Sequence, residues 1–183
     1  MKQKYVAFLR GINVGGHHKV PMSLLREEME KLDFKSVVTL LNSGNILFDA
    51  VSDDLENLEK RVSEHLETVF GFPIPTIICR SETIYSLLEK NPFKDIAVTK
   101  NIRLYISFLK KKNEMDLKLP WTSDDGSYKI IAKTDNTILS VLDLSVTNTP
   151  QAMDILRRRY GSDITTRNWN TIKRLEKKLG SGP

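Results

Sequence analysis

The sequence predicts an α+β protein made of two ferredoxin-like halves, with helices packed on antiparallel sheets. Two observations favour this class. Apolar periodicity over residues 1–80 indicates elements in the order β-α-β-β-α-β, which is the split-βαβ arrangement. The later residues repeat this order with weaker signals. We therefore expect one half over 1–80, a modified second half over 81–180, and a flexible tail at 181–183.

The elements of the first half follow from apolar spacing and turn chemistry. Tyr5–Leu9 is a continuous apolar run, typical of a strand buried on both faces. Pro21 pre-sets the first turn of a helix, and Asn42–Asn45 is a turn inside a hairpin. The predicted elements are strand Tyr5–Leu9, helix Pro21–Asp33, strands Val37–Leu41 and Ile46–Phe48, a helix from a capping box at Asp53 and Glu56 to Gly71, and strand Thr76–Cys79.

The second half is less regular. Lys110–Ser127 is polar and loop-like, with a helical turn expected around Met115–Leu119. The other predicted elements are a short helix over Ile84–Leu88, strand Ile102–Leu109, a hairpin of Tyr128–Ala132 and Thr137–Leu142, a helix opened by Thr149 and Pro150, an edge strand at Ile164–Thr166, and a closing helix from Trp169 to Leu179.

Composition excludes several classes of protein. The 183 residues are 40% hydrophobic and 28% charged, and no apolar run approaches the roughly 18 residues needed to cross a bilayer. The single cysteine, Cys79, excludes an internal disulfide. The three histidines lack metal-ligand spacing, and His65 is expected on the solvent side of its helix. We expect a cytoplasmic protein that holds no metal and no cofactor.

The net charge of +5 is unevenly distributed. Residues 151–183 contain eight Lys or Arg and three Asp or Glu, so this segment accounts for the whole excess. Attraction for phosphates would therefore arise in the C-terminal region. The alternative is that basic residues gather near helix ends for dipole and solubility reasons.

Polar residues and glycines follow the first strand and also occupy the turn before the third. In a split-βαβ sheet these two strands are central and antiparallel, so both groups should meet at one edge, below a loop carrying His17, His18 and Lys19. Arginine suits carboxylate or phosphate, and glycine lets a ligand approach the backbone. The candidate ligand-binding residues are Arg10, Gly11, Asn13, Gly16, Asn42, Ser43, Gly44 and Asn45.

Residues 11–16 do not form a known phosphate-binding motif. Their spacing does not fit GxGxxG, and His17 and His18 stand where a Walker A motif requires Lys and Ser or Thr. The next helix is expected to begin around Pro21, too late for its N-terminus to meet this loop. A ligand site and plain turns with Arg10 capping carbonyls are both compatible with these residues.

The stretch 165–170, TTRNWN, is the second unusual one. Thr and Asn are typical helix N-cap residues, but a cation at a helix N-terminus opposes the dipole by up to about 1 kcal/mol. An aromatic ring beside amides and an arginine could stack on a base. Alternatively, Trp169 is core and Arg167 pairs with an acid. The candidate residues are Arg167, Asn168, Trp169 and Asn170, in one pocket with the N-terminal group or in a second one.

The segments FLRGINVGG, LNSGNILF and ITTRNWNTIKRL resemble sequences of the bacterial family known as domain of unknown function 1697. The resemblance implies a cytosolic α+β protein of two ferredoxin-like halves without an assigned biochemical role. The segments that carry the resemblance are Arg10–Asn13, Ser43–Asn45 and Thr165–Thr171. The chain departs from the pattern at Asp33, where glycine is usual, and in the loop histidines.

Three functions are compatible with these residues. The preferred one is binding of a small phosphorylated or nucleotide-like molecule in the polar cleft. The second is an enzyme, a transferase or hydrolase, in which Ser43 or a loop histidine assists. The third is nucleic-acid binding through the basic C-terminal region. It is ranked last because the predicted strands contain no RNP-like motif with aromatic residues. The sequence does not decide whether a reaction is catalysed, nor the oligomeric state.

Overall fold

The computed structural model describes residues 2–111, 118–134 and 136–180. These residues contain two sheets whose neighbouring strands are antiparallel, together with helices, so the predicted α+β class is confirmed. Within these ranges, no helix has both the length and the apolar character needed to cross a membrane. The elements are β1 Lys2–Leu9, α1 Met22–Lys31, β2 Lys35–Leu40, β3 Asn45–Val51, α2 Leu55–Phe70, β4 Thr76–Arg80, α3 Ser81–Lys90, β5 Ile102–Leu109, β6 Trp121–Thr122, β7 Tyr128–Lys133, β8 Thr137–Asp143, α4 Thr149–Tyr160, β9 Ile164–Asn168 and α5 Trp169–Leu179.

The chain divides into two compact units. One unit comprises Met1–Ser86 and Leu175–Pro183, and the other comprises Leu87–Arg174. The division differs from a limit at residue 80 because α3 follows β4 without a linker and lies partly in each unit. The predicted limits of the two halves stay a prediction, and the tail at 181–183 lies outside the described residues.

The first unit has the strand order β2-β3-β1-β4. β1 pairs antiparallel with β3, and Phe8 lies opposite Asn45, so the predicted central pair is confirmed. One face of this sheet packs against α1 and α2 through a core that includes Tyr5, Phe34 and Phe48. The ring of Phe48 stacks on Tyr5 at 5.5 Å and on Phe34 at 4.4 Å. These contacts hold β1 and β3 rigidly beneath the two helices.

The second unit has the strand order β6-β7-β8-β5-β9. Its strands β7, β8, β5 and β9 follow the same order as β2, β3, β1 and β4. The strand β6 was not predicted, and most of the helical turn expected around Met115–Leu119 lies outside the described residues. The ferredoxin-like description of the two halves therefore stays a prediction.

Side-chain capping and backbone conformation explain where the helices of the first unit begin or end. The N-cap of α2 is Asp54, whose carboxylate accepts from the Glu56 amide at 2.8 Å, so the predicted cap at Asp53 is wrong by one residue. Gly71 ends α2 in the left-handed conformation with φ 78°, as the sequence predicts. Asp33 has φ 61°, which explains why glycine suits this position.

A buried carboxylate covers part of the edge of the first sheet. β4 is an outermost strand, and its Ile78 N–H donates to Oε1 of Glu59 on α2 at 2.8 Å. Glu59 is only 3% exposed. Its bond satisfies an edge amide that would otherwise face outwards from the sheet.

A second buried carboxylate joins α1 to α2. Glu28 accepts from Lys31 Nζ at 2.6 Å, and its other oxygen lies 2.9 Å from His65 Nε2. His65 is half-buried on this carboxylate, so its expected solvent exposure is wrong. The hydrogen bond from Lys31, helped by His65 and opposed by burial, holds the pKa of Glu28 below its ordinary value of 4.5.

Glu28 predicts a pH-dependent contribution to stability. Since its pKa is lower in the folded state, the contribution is present above about pH 4.5 and is lost as pH falls through the folded-state value. We expect Glu28→Gln to reduce the free energy of unfolding by about 1.5–3 kcal/mol at neutral pH, because it removes charged hydrogen bonds. Urea unfolding between about pH 3 and pH 7 measures whether this difference shrinks in acid.

The control for this prediction is Glu30→Gln on the same helix. Glu30 forms an exposed pair with Arg26 at 3.9 Å, and such pairs contribute at most about 1 kcal/mol. A loss in Glu28→Gln that is the same at every pH, or no greater than in the control, would contradict the assigned role.

Candidate functional site

The turn between β2 and β3 docks on the end of β1. The Leu9 amide donates to the Gly44 carbonyl at 2.8 Å. Gly44 has φ +72°, and a Cβ placed there would lie 2.7 Å from Leu9 Cβ and 2.8 Å from Ile12 Cδ1. Only glycine fits this approach. The expected meeting of the two polar groups at one edge of the sheet is therefore observed.

Asn13 fastens the loop after β1 to that turn. Its Oδ1 accepts from the Val20 amide at 2.8 Å, and its Nδ2 donates to the Val20 carbonyl at 3.0 Å and to the Asn42 carbonyl at 2.9 Å. Both amide hydrogens of the side chain are therefore used within the protein. Asn13 positions the loop rather than offering a donor to a ligand.

The two loop histidines have different surroundings. His18 stacks on Phe72 with 4.3 Å between ring centroids, and its Nδ1 lies 3.2 Å from the Gly11 carbonyl. A carbonyl oxygen only accepts, so Nδ1 carries the proton in this contact. His17 closes a tight turn through its amide, which donates to Val14 O at 3.1 Å, and its side chain is exposed. His18 anchors the loop, and His17 remains accessible.

A surface cavity of about 330 Å³ lies between this loop, the β2–β3 turn and α1. We call it the loop cavity. It combines basic and amide side chains with an apolar wall. The lining residues are Asn13, Gly16, His17, Lys19, Val20, Pro21, Met22 and Asn42. Pro21 and Met22, where α1 begins, line it together with Gly16, and the expectation that α1 begins too late for its N-terminus to sit on the loop stays a prediction.

The first turn of α1 gives the loop cavity an electrostatic character. Pro21 is the N-cap, no side chain caps the turn, and the turn contains no acidic residue. The first amides of a helix carry partial positive charge and lack partners within the helix. Lys19 adds a full positive charge on the same cavity. This combination favours a negatively charged group.

The other N-terminal candidates lie at the same edge without lining the cavity. Arg10 is half-buried, and its backbone amide donates to Pro75 O at 2.9 Å. Asn45 is fully buried and donates to Leu40 O at 2.8 Å and to Ser43 Oγ at 3.0 Å. Asn45 therefore stabilises the turn from inside, where a ligand has no access.

Arg167 lies in a strand and not at the N-terminus of a helix. Pairing of β9 with β5 continues to Asn168, which places Arg167 opposite Ile106. The side chain is 9% exposed and donates through Nη1 to Thr165 Oγ1 at 2.8 Å and to Thr166 O at 3.0 Å. Burial lowers the pKa of Arg167 to about 10. The expected conflict with the helix dipole is therefore wrong.

Trp169 is a core residue. It is 5% exposed and meets the Phe93 ring edge-on at 5.4 Å, so its ring is not available to stack on a base. Asn168 turns the chain into α5 by accepting from the Asn170 amide at 2.9 Å. A ligand contact by exposed Asn170, and a pocket shared with the N-terminal stretch, stay predictions.

A family model described as "Protein of unknown function (DUF1697)" matches residues 1–136. The chain belongs to this family. The matched residues include every residue that lines the loop cavity, whereas the stretch at 165–171 lies beyond them.

The fold of this DUF1697 chain is similar to that of the conserved bacterial protein SP0830 from Streptococcus pneumoniae. The two have a TM-score of 0.65 and 22% sequence identity, and the similarity covers 98% of this chain and 100% of SP0830. At this identity the likeness shows the fold alone. No curated protein matches the chain. Within the described ranges, no group of three or more His, Cys, Asp or Glu side chains is arranged to hold a metal ion.

Sequence reasoning missed the contribution of Val20, Pro21 and Met22. Apolar residues that begin a helix resemble ordinary core residues, and only the loop geometry places them on a cavity. One usable signal was Pro21 at a helix start without a capping side chain, two residues after Lys19.

Gly44 and Gly11 form a matched pair for testing the docking of the turn. Both have positive φ, but a Cβ on Gly11 would meet nothing within 4 Å. We expect Gly11→Ala to cost about 1–2 kcal/mol of stability from backbone strain alone, and Gly44→Ala to cost about 1–3 kcal/mol more from overlap. Denaturant unfolding of both variants measures this. Equal losses would show that the close approach of Gly44 is unimportant.

Proposed function

We propose that this protein binds a small anionic molecule, such as a phosphate ester, in the loop cavity. The observation that carries the proposal is that Lys19 lines the same cavity as Pro21 and Met22, where α1 begins without a capping side chain. The positive charge of Lys19 and the partial positive charge at the start of α1 therefore lie close to the same cavity. His17 and Asn42 supply further polar contacts around it.

The size and lining of the loop cavity indicate the kind of anion. Its volume of about 330 Å³ is near the lower end of the range for small-molecule pockets. Val20, Pro21 and Met22 form an apolar wall beside the basic side chains. We therefore favour a mononucleotide-sized or smaller molecule that carries one charged group and one apolar or flat part.

Backbone strain supports a functional role for this edge of the sheet. Asn13, His18 and Leu41 have φ values of 54°, 50° and 60°, in the left-handed region that side chains disfavour. Leu41 is also 40% exposed, so burial does not account for its strain. Strained residues of this kind concentrate at ligand-binding sites because the surrounding contacts hold a preorganised shape.

A cytoplasmic location belongs to the same proposal. It is supported by the single cysteine, because secreted proteins of modest size commonly rely on disulfides. Burial raises the pKa of the Cys79 thiol far above its usual range, so this thiol is structural in character.

Thermal unfolding with inorganic phosphate, small phosphate esters, nucleoside monophosphates and simple carboxylates tests the proposal. A ligand at about 100 times its dissociation constant adds about 2.7 kcal/mol, which corresponds to a rise in Tm of roughly 5–11 °C for a chain of this size. We expect Lys19→Gln to reduce the rise strongly, because it removes the full charge on the cavity.

The matched control is Lys35→Gln, which removes one charge from an exposed position on β2. This variant should keep the wild-type response. A ligand that stabilises the wild type and the Lys19 variant equally binds elsewhere, and that result would refute the assignment of the loop cavity. The absence of any response across the panel would refute the anionic ligand itself.

A further inference from the structure

Among the described residues of the second unit, three buried hydroxyl groups have no hydrogen-bond partner. They are Oη of Tyr128, Oγ of Ser140 and Oγ1 of Thr147. The side chains of Tyr128 and Ser140 are fully buried. A buried polar group without a partner loses its bonds to water and gains nothing in return, so folded proteins contain few of them. Three such groups in one unit therefore indicate that something else satisfies them.

Strand pairing places Tyr128 and Ser140 on the same face of the second sheet. Ser140 on β8 lies opposite Tyr105 on β5 and opposite Ile130 on β7. Side chains directly opposite each other share a face, and so do those of Tyr128 and Ile130, two residues apart on one strand. Burial raises the pKa of Tyr128 to about 12, and the nearby Ser140 hydroxyl acts against this rise. The two hydroxyls are neighbours, but they do not have the geometry of a direct hydrogen bond.

Helix α4 covers this face and brings the third hydroxyl towards it. Ala152 of α4 belongs to the same core cluster as Tyr128. The phenol of Tyr105, which adds to the effect of burial on the pKa of Tyr128, lies 3.3 Å from Thr149 Oγ1 at the start of α4. Thr147 precedes Thr149 by two residues, a distance of at most about 7 Å along the chain. The three hydroxyls without partners therefore lie where the start of α4 meets the sheet.

The chemistry of the three groups selects a small neutral ligand. Each hydroxyl can donate one hydrogen bond and accept others. None of them supplies the carboxylate that a Ca²⁺ or Mg²⁺ ion prefers, or the positive charge that would hold an anion. A buried water molecule makes about three hydrogen bonds to otherwise unsatisfied groups, because it both donates and accepts.

We infer that Tyr128, Ser140 and Thr147 bind one buried water molecule, which connects the second sheet to the turn before α4. This water completes the hydrogen bonding of a face that is otherwise packed with apolar side chains. It belongs to the second unit, whereas the residues that line the loop cavity belong to the first. The inference is therefore independent of the proposed anion binding.

Magnetic relaxation dispersion of water oxygen-17 tests this inference, because it counts the water molecules that stay bound for longer than the protein takes to rotate. In Tyr128→Phe/Ser140→Ala the water would keep only one of its three partners. We expect this variant to retain one long-lived water molecule fewer than the wild type.

The matched control is Tyr5→Phe in the first unit. Tyr5 is also fully buried, but its hydroxyl accepts a hydrogen bond from the Asp53 amide at 3.3 Å. Because a partner within the protein satisfies this hydroxyl, its removal should leave the number of long-lived water molecules unchanged.

Thermal unfolding of Tyr128→Phe distinguishes a bound hydroxyl from one without any partner. Loss of a hydrogen bond to the water should lower Tm by about 1–6 °C, whereas removal of an unsatisfied buried hydroxyl should raise Tm. The same melts show whether the double variant is folded. If it is not, a crystal structure of the wild type decides, with a water expected at about 2.7–3.0 Å from both Tyr128 Oη and Ser140 Oγ.

Several results would overturn the inference. An unchanged water count in the folded double variant, or an equal fall in Tyr5→Phe, would refute the site. A higher Tm in Tyr128→Phe would show that its hydroxyl has no partner at all. A crystal structure in which the hydroxyls of Tyr128 and Ser140 bond directly to each other, with no water between them, would also exclude the bound water.

Discussion

The close approach of Gly44 to Leu9 and Ile12 is the constraint on which this part of the molecule depends. It brings the β2–β3 turn against the end of β1 and leaves no room for a side chain between them. The Leu9–Gly44 hydrogen bond holds the turn against the end of β1. The Asn13 side chain then donates to the Asn42 carbonyl and so connects the following loop to the turn. The shape of the loop cavity follows from these contacts, so a ligand would meet a surface that is already formed.

Acidic and basic side chains are used differently in the first unit. Its two buried carboxylates, Glu28 and Glu59, both serve the fold: one joins α1 to α2, and the other joins α2 to β4. Lys19, by contrast, lies exposed on the loop cavity, and no acid follows it in the first turn of α1. Since Glu28 holds the body of α1 in place, the N-terminus of that helix has a fixed position relative to the loop.

Most of the fold could be predicted from apolar periodicity and from residues that are typical of turns and helix ends. The apolar run ending at Leu9, the turn at Asn42–Asn45 and Gly71 marked real elements because each has a strong local preference. β6 was missed since two residues give no period, and Arg167 was misplaced because strand pairing with β5 outweighed the N-cap preference of its neighbours. For the site, topology correctly joined the two polar groups. Topology could not show that the side-chain amides of Asn13 and Asn45 donate to carbonyls within the protein. Nor could it show that Trp169 is a core residue or that Met22 lines a cavity. These features depend on side-chain packing between elements.

The bond from Ile78 to Glu59 also concerns how molecules of this protein behave towards one another. An outer strand with unoccupied amides can recruit a strand from another molecule, which is a common first step in aggregation. Many proteins discourage this with a lysine or proline placed on the strand itself. Here the obstacle comes from a neighbouring helix, so it persists only while α2 is docked. We expect partial unfolding of that helix to favour self-association through β4.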